Sequence, residues 1–232
     1  MIRKPAAILC DVNGTLFKLD ALGDRLEKVG LPKDKLQLWF ARTLRDGKAL
    51  AITGTFATFK DVAGFQLKAM LSEQSNGGPD RPSKEQLESA AATLLGGFDE
   101  VEAWPDVALG FQKLRQLGVK IATMTNGSTE VTQKFLERSD LSQFVAESME
   151  VAEVQLWKPR AEVYLHAAKR LGLQPDQVML AAVHPWDTHG AKAAGLQAAY
   201  INRDGADYPP YFLPPDANLR SFVALAEQLT LR

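Results

Sequence analysis

The run "AAILCDVNGTL", residues 6–16, decides how the rest of the chain is read. Its first half is short and uniformly apolar, a length and composition better suited to a buried strand than to a helix. A carboxylate, Asp11, stands where that run gives out. Gly14 and Thr15 follow at once, as in a tight turn. An acid at the end of a buried strand has the character of a placed reactive group. Asn13 sharpens the question, because two residues beyond Asp11 comes a side chain with no ionisable proton to give or take.

Further strand-like runs follow the same pattern. "VKIATMTNG" (119–127) is entered through Gly118 and left through Asn126-Gly127, while "QVMLAAV" (177–183) and "LQAAYIN" (196–202) are short and apolar. Between them lie amphipathic helices. Val107, Phe111, Leu114 and Leu117 share one face before Gly118, and Tyr164, Ala168 and Leu171 repeat this before Gly172. Strands alternating with helices over short connections predict an α/β fold, a parallel sheet covered on both faces. Residues 18–98 break the rhythm. They read as helices near 20–30, 34–50, 56–73 and 83–95, the last opened by a capping box of Ser83 and Gln86. "SNGGPDRPS" (75–83) is a loop by composition. The expected organisation is a core of residues 1–17 and 99–232, with an all-helical insert of 18–98 after the first strand. A turn-rich tail from Asp204 ends in a helix near 218–230.

The 232 residues suffice for a real core, and 46% are apolar and 24% charged, as in ordinary globular proteins. A formal charge of −1 supplies no field to draw the chain to nucleic acid or an anionic membrane. No apolar stretch approaches the roughly 20 residues needed to span a bilayer. The N-terminal segment reads straight into a strand, without the pattern of a signal peptide. One cysteine, Cys10, permits no internal disulfide and points to the cytoplasm.

In open parallel sheets, working groups collect beyond the carboxyl ends of the strands. Asp11, Thr125-Asn126 and His184-Asp187 each follow an expected strand, so three separated segments should meet at one crevice. A helical insert after the first strand is suited to closing over such a crevice and excluding water.

Four motifs in order resemble those of the haloacid dehalogenase superfamily: "DVNGTL" (11–16), "MTNGS" (124–128), "WKPRAEVY" (157–164) and "VHPWDTHGAKAAG" (183–195). The resemblance covers the whole chain and implies a Rossmann-like core with an all-helical cap inserted after the first strand. Phosphatases of that superfamily carry an acid two positions after the nucleophile, to protonate a departing alkoxide. Here that position is Asn13. They also bind magnesium partly through an acid four positions before the last motif Asp, where this chain has Val183. Both features are missing. The chain instead resembles the type II, (S)-2-haloacid dehalogenase branch, which works without a metal or other cofactor. Halide leaves as a stable anion and needs no proton, which accounts for Asn13, although Tyr is commoner there.

By this resemblance Asp11 attacks carbon two of a short 2-haloacid and forms an ester, which water then hydrolyses to the 2-hydroxyacid. Lys158 would pair with Asp11, Asp187 would orient or deprotonate the water, and Thr15 would hold the Asp11 loop. Thr125, Asn126, Tyr164 and Trp186 would line the substrate. Tyr164 fits a helix core stripe equally well, and Asn126-Gly127 suits a plain turn. His184 stands where the dehalogenases usually show Asn; it is a water guide, a base, or a packed residue. "LWFARTLRD" (38–46) resembles the cap segment that supplies a halide-binding arginine, with Arg42 as the candidate. Two rival readings stay open at this point: a degenerate phosphatase of the same superfamily, and a relative that only binds a carboxylate. A homodimer is the expected assembly if there is one.

Overall fold

The computed structural model describes residues 3–75 and 81–231. Positions 76–80 of the expected 75–83 loop lie outside the described residues. The sheet holds six parallel strands in the order β3-β2-β1-β4-β5-β6: β1 (Ala7–Cys10), β2 (Lys120–Thr125), β3 (Val145–Glu150), β4 (Val178–Ala182), β5 (Gln197–Ile201) and β6 (Ala217–Leu219). β1 pairs with β2 on one side and β4 on the other, so Cys10 lies level with both Thr123 and Ala181. The chain winds outward from β1 through β2 to β3, then crosses back to β4 and winds the other way. That reversal leaves a crevice beyond the carboxyl ends of β1 and β4.

The four strands expected from the sequence are the buried interior ones, with β1, β4 and β5 buried at every position. β3 and β6, the two edges, carry no clear strand signal in the sequence. β3 is mostly half-buried, with only Met149 fully buried, and its sequence mixes Glu147, Ser148 and Glu150 among the apolar residues, so it lacks a continuous apolar run. β6 spans three residues and overlaps the start of the stretch, near 218–230, expected to form the last helix. Pairing with β5 overrides local helix preference there, and the helix starts at Phe222, where the Ser221 hydroxyl accepts the Ala224 N–H at 3.0 Å. Helices α5 (Val107–Gln116), α6 (Thr129–Arg138), α7 (Ala161–Arg170), α8 (Pro185–Ala193) and α9 (Phe222–Thr230) belong to the same unit. Gly118 ends α5 at φ 73°, a left-handed turn that a side chain would strain.

The chain divides into two compact units, Met1–Lys18 with Ala103–Arg232, and Leu19–Glu102. The second is helical: α1 (Asp20–Lys28), α2 (Lys35–Thr53), α3 (Phe59–Gln74) and α4 (Lys84–Leu95). Its core is built round Trp39, whose indole N–H donates to the Ala63 carbonyl at 2.9 Å. Phe59 meets the Trp39 ring edge-on at 6.4 Å and Phe98 at 5.9 Å. Ser83 opens α4 with both halves of its capping box in place, the Gln86 side chain accepting the Ser83 N–H at 2.7 Å.

Candidate active site

The loop that carries Asp11 begins as a continuation of β1. The Asp11 N–H donates to the Ala181 carbonyl at 3.1 Å, carrying the pairing one residue past the strand. The Val12 carbonyl then accepts from Leu16 at 2.9 Å, and Gly14 takes φ 80° to close the turn. Thr15 fastens the loop twice: its hydroxyl donates to Asp11 Oδ2 at 2.7 Å and accepts the Val183 N–H, at the end of β4, at 3.1 Å. Behind the loop, the Trp104 indole N–H donates to the Gly14 carbonyl at 2.9 Å and Arg203 donates to the Thr15 carbonyl at 3.0 Å. Arg203 also lies 4.7 Å from the centre of the Trp104 ring and pairs with Asp106. Trp104, Asp106 and Arg203 did not stand out in the sequence. Trp104 and Arg203 donate to backbone carbonyls of a distant segment, and Asp106 holds Arg203 while accepting the Phe222 N–H at 2.8 Å, contacts that no local sequence pattern announces.

Lys158 is the hub of the site and is completely buried. Its ammonium donates to Asp11 Oδ1 at 2.7 Å, to Asp187 Oδ2 at 2.6 Å and to the Met124 carbonyl at 3.1 Å, which uses all three of its protons. Its backbone is held from β2, where Asn126 Oδ1 accepts the Lys158 N–H at 3.0 Å; the following bond to Pro159 is cis. Thr125 closes the same turn by accepting the Gly127 N–H on its hydroxyl at 2.9 Å. Asp187 sits in the first turn of α8, where the helix N-terminus favours an anion. Its second oxygen accepts the Tyr164 hydroxyl at 2.5 Å.

Two buried carboxylates therefore share one buried cation, and they differ. Burial pushes Asp11 up, but the charge of Lys158, then His184, and the Lys158 and Thr15 hydrogen bonds outweigh it and hold its carboxyl below the usual range. Burial also dominates at Asp187, where Lys158 opposes it only in part and the charge of Asp11 adds to it; that carboxyl is raised. Lys158 is pulled down by burial yet raised overall by the two carboxylates. The Tyr164 hydroxyl is pushed well above its ordinary value by burial and by Asp187, so it is a donor throughout. One carboxyl is thus held anionic while the other binds a proton more readily than usual.

Gly190 lets these parts meet. A Cβ there would stand 2.5 Å from Pro159 Cβ and 2.8 Å from the Tyr164 hydroxyl. Gly190→Ala is expected to cost about 1–3 kcal/mol by overpacking. It should also lower turnover by about 10²-fold, since it shifts both Tyr164 and the segment carrying Lys158. Gly96→Ala, with nothing within 4 Å of the new methyl, is the matched control. Unfolding curves and turnover of both variants check this; equal behaviour of the two would refute it.

Of the remaining expected residues, His184 Nε2 lies 3.1 Å from the Asn13 carbonyl and 3.6 Å from Asp11 Oδ2. Trp186 stacks on the His184 ring, centroids 5.3 Å apart and planes 16° from parallel. Arg42 belongs to the other unit, on α2, and pairs with Glu73 at 2.9 Å. Cys10, the residue before Asp11, is fully buried in β1; burial first, and then the charge of Asp11, push its thiol well above the ordinary range.

Comparison with known proteins gives a consistent picture. The family model described as haloacid dehalogenase-like hydrolase matches residues 5–195. The (S)-2-haloacid dehalogenase 4A of Burkholderia cepacia is 27% identical over 93% of this chain and 90% of its own length. The (S)-2-haloacid dehalogenase 1 of Pseudomonas sp. (strain CBS-3) is 28% identical over 97% of this chain and 96% of its own. A crystal structure of a dehalogenase with an intermediate complex superposes with a TM-score of 0.86 at 25% identity, covering both chains completely.

Proposed function

We propose, because the chain belongs to the haloacid dehalogenase-like hydrolase family, that it is a hydrolytic dehalogenase converting a short 2-haloacid to the 2-hydroxyacid and halide. The observation that carries this reading is the Lys158 ammonium held between Asp11 at 2.7 Å and Asp187 at 2.6 Å, with Asn13 where a proton donor would otherwise stand. An ionised Asp11 attacks carbon two, and the carbon–halogen bond breaks with its electron pair leaving on the halide. No proton is consumed in that step, so an amide at position 13 costs nothing. The (S)-2-haloacid dehalogenases similar to the chain along nearly its whole length support the substrate class.

Hydrolysis of the Asp11 ester needs a base and a cation. Asp187, whose carboxyl is raised, takes a proton from water as the water attacks Asp11 Cγ. Lys158 stabilises the charge that develops. Tyr164 serves this step by holding Asp187, and Asn126 by holding the Lys158 backbone. Thr125 and Trp186 bound the substrate. The single cysteine suits a reducing compartment, and we take the cytoplasm as the place of work. No helix among the described residues is long and apolar enough to cross a membrane.

Repeated turnover of 2-chloropropionate in heavy-oxygen water tests the reading. Halide and 2-hydroxyacid should be released together, and the peptide containing Asp11 should gain heavy oxygen. Halide release with an unlabelled Asp11 would defeat the ester route. No halide from any 2-haloacid, with magnesium-dependent hydrolysis of an aryl phosphate instead, would defeat the function.

A further inference from the structure

We propose that His184 completes an oxyanion hole on Asp11 Oδ2: its Nε2–H joins the Thr15 hydroxyl in holding the negative charge formed when water adds to Asp11 Cγ. This rests on the ester reading above and assigns a step to a residue in which the chain departs from the dehalogenases it resembles.

Two contacts hold the imidazole. One face stacks on Trp186. Nε2 stands 3.1 Å from the Asn13 carbonyl, which can only accept, so Nε2 carries the proton of that hydrogen bond. That assignment removes Nε2 as a base and makes it a donor.

The same nitrogen also lies near a carboxylate oxygen of Asp11, to which its N–H can turn from the Asn13 carbonyl as charge builds there. Oδ2 of Asp11 is 3.6 Å away, too far for a hydrogen bond in the resting enzyme, and already accepts the Thr15 hydroxyl at 2.7 Å. Oδ1 is held by Lys158 at 2.7 Å. The two oxygens therefore sit in different surroundings, one beside an ammonium and one between a hydroxyl and an imidazole N–H. We assign Oδ1 as the attacking oxygen. Once it has formed the ester, Oδ2 is the carbonyl oxygen. Water then adds to Cγ, giving its proton to Asp187, and the carbonyl electron pair moves onto Oδ2. Collapse of this intermediate breaks the Cγ–Oδ1 bond. The pair departs on the alkoxide, which takes a proton from Lys158, and Asp187 returns its proton to Lys158 across their hydrogen bond. The water oxygen remains on Asp11, and its second proton is released to solvent, which restores the carboxylate.

A donor held slightly too far in the ground state gains most as charge accumulates, which is the form of interaction that lowers a barrier. In the ester-forming step charge flows out of the carboxylate, so the same donor contributes little. The effect of His184 should fall on ester hydrolysis alone.

His184→Phe keeps a flat ring for Trp186 and removes the donor; His184→Gln restores an N–H. Single-turnover quenching with 2-chloropropionate, followed by intact mass of the covalent ester and by halide release, separates the two steps. In the Phe variant the initial halide burst should stay near the wild-type rate. Ester hydrolysis should slow by about 10²-fold, so that the ester accumulates. The Gln variant should recover most of that loss. Wild-type ester hydrolysis in the Phe variant, equal slowing of both steps, or a Gln variant no better than Phe would overturn the assignment. If the Phe variant does not fold, Gln against Met makes the same comparison at matched length. A wild-type protein that yields neither halide nor ester from any 2-haloacid would instead bring down the dehalogenase reading, and this role with it.

Discussion

Asp11→Asn should abolish halide release, lowering it by at least about 10⁴-fold, as removal of a nucleophile does in other enzymes. The substitution preserves shape and size in a fully packed setting, so the loss would be chemical. A neutral amide does not displace halide at carbon two, and no ester should be seen by mass. The fold should survive. With both carboxylates ionised the buried cluster of Asp11, Lys158 and Asp187 carries one net negative charge, and removing one carboxylate leaves a neutral Lys158–Asp187 pair at 2.6 Å. Unfolding curves close to wild type, together with lost turnover, are the expected pair of results. Retention of more than about 1% of turnover would mean that Asp11 is not the attacking group.

Lys158→Met should have the largest effect on stability. It leaves Asp11 and Asp187 buried near each other without their cation, a loss on the order of 3–5 kcal/mol. The pH dependence between 8 and 5 should also steepen. In the wild type the lowered carboxyl of Asp11 contributes stability above its unfolded value of about 3.9, lost as pH falls through its lower folded value. Lys158, raised in the fold, contributes stability below about 10.4, lost as pH rises through its higher folded value. Asp187 works in the opposite sense, because a raised carboxyl binds a proton more readily folded than unfolded. Without Lys158 both carboxyls should behave that way, and the variant should grow more stable as pH falls from 8 towards about 5. Denaturant unfolding across that range tests this. A variant whose stability declines on acidification would refute the account. Adding Asp187→Asn to Lys158→Met should restore part of the loss, since only one buried charge then remains.

The parts of the fold legible in the sequence are those where burial is complete. β1, β4 and β5 are buried on both faces and announce themselves as apolar runs, whereas the edge strands β3 and β6 do not, because solvent reaches them and their composition is mixed. The site follows the same logic. Asp11, Asn126 and Asp187 stand at the ends of elements where a parallel sheet collects function. Thr15, Lys158 and Tyr164 were approachable through motif order, and the structure gathers them within hydrogen-bond reach of Asp11, Asp187 or each other. The brace of Trp104, Asp106 and Arg203 left no such signal, since nothing in a tryptophan or an arginine announces which distant carbonyl it will hold.

A catalyst fed with 2-haloacids lives among alkylating agents, and thiolates are the protein groups they damage first. This chain places its single sulfhydryl, Cys10, next in sequence to Asp11, the residue proposed to be alkylated. Packing inside the central strand denies that sulfur both access and ionisation. The electrophile thus meets one competent partner, whose adduct water can undo, and is kept from a neighbour whose thioether would be permanent.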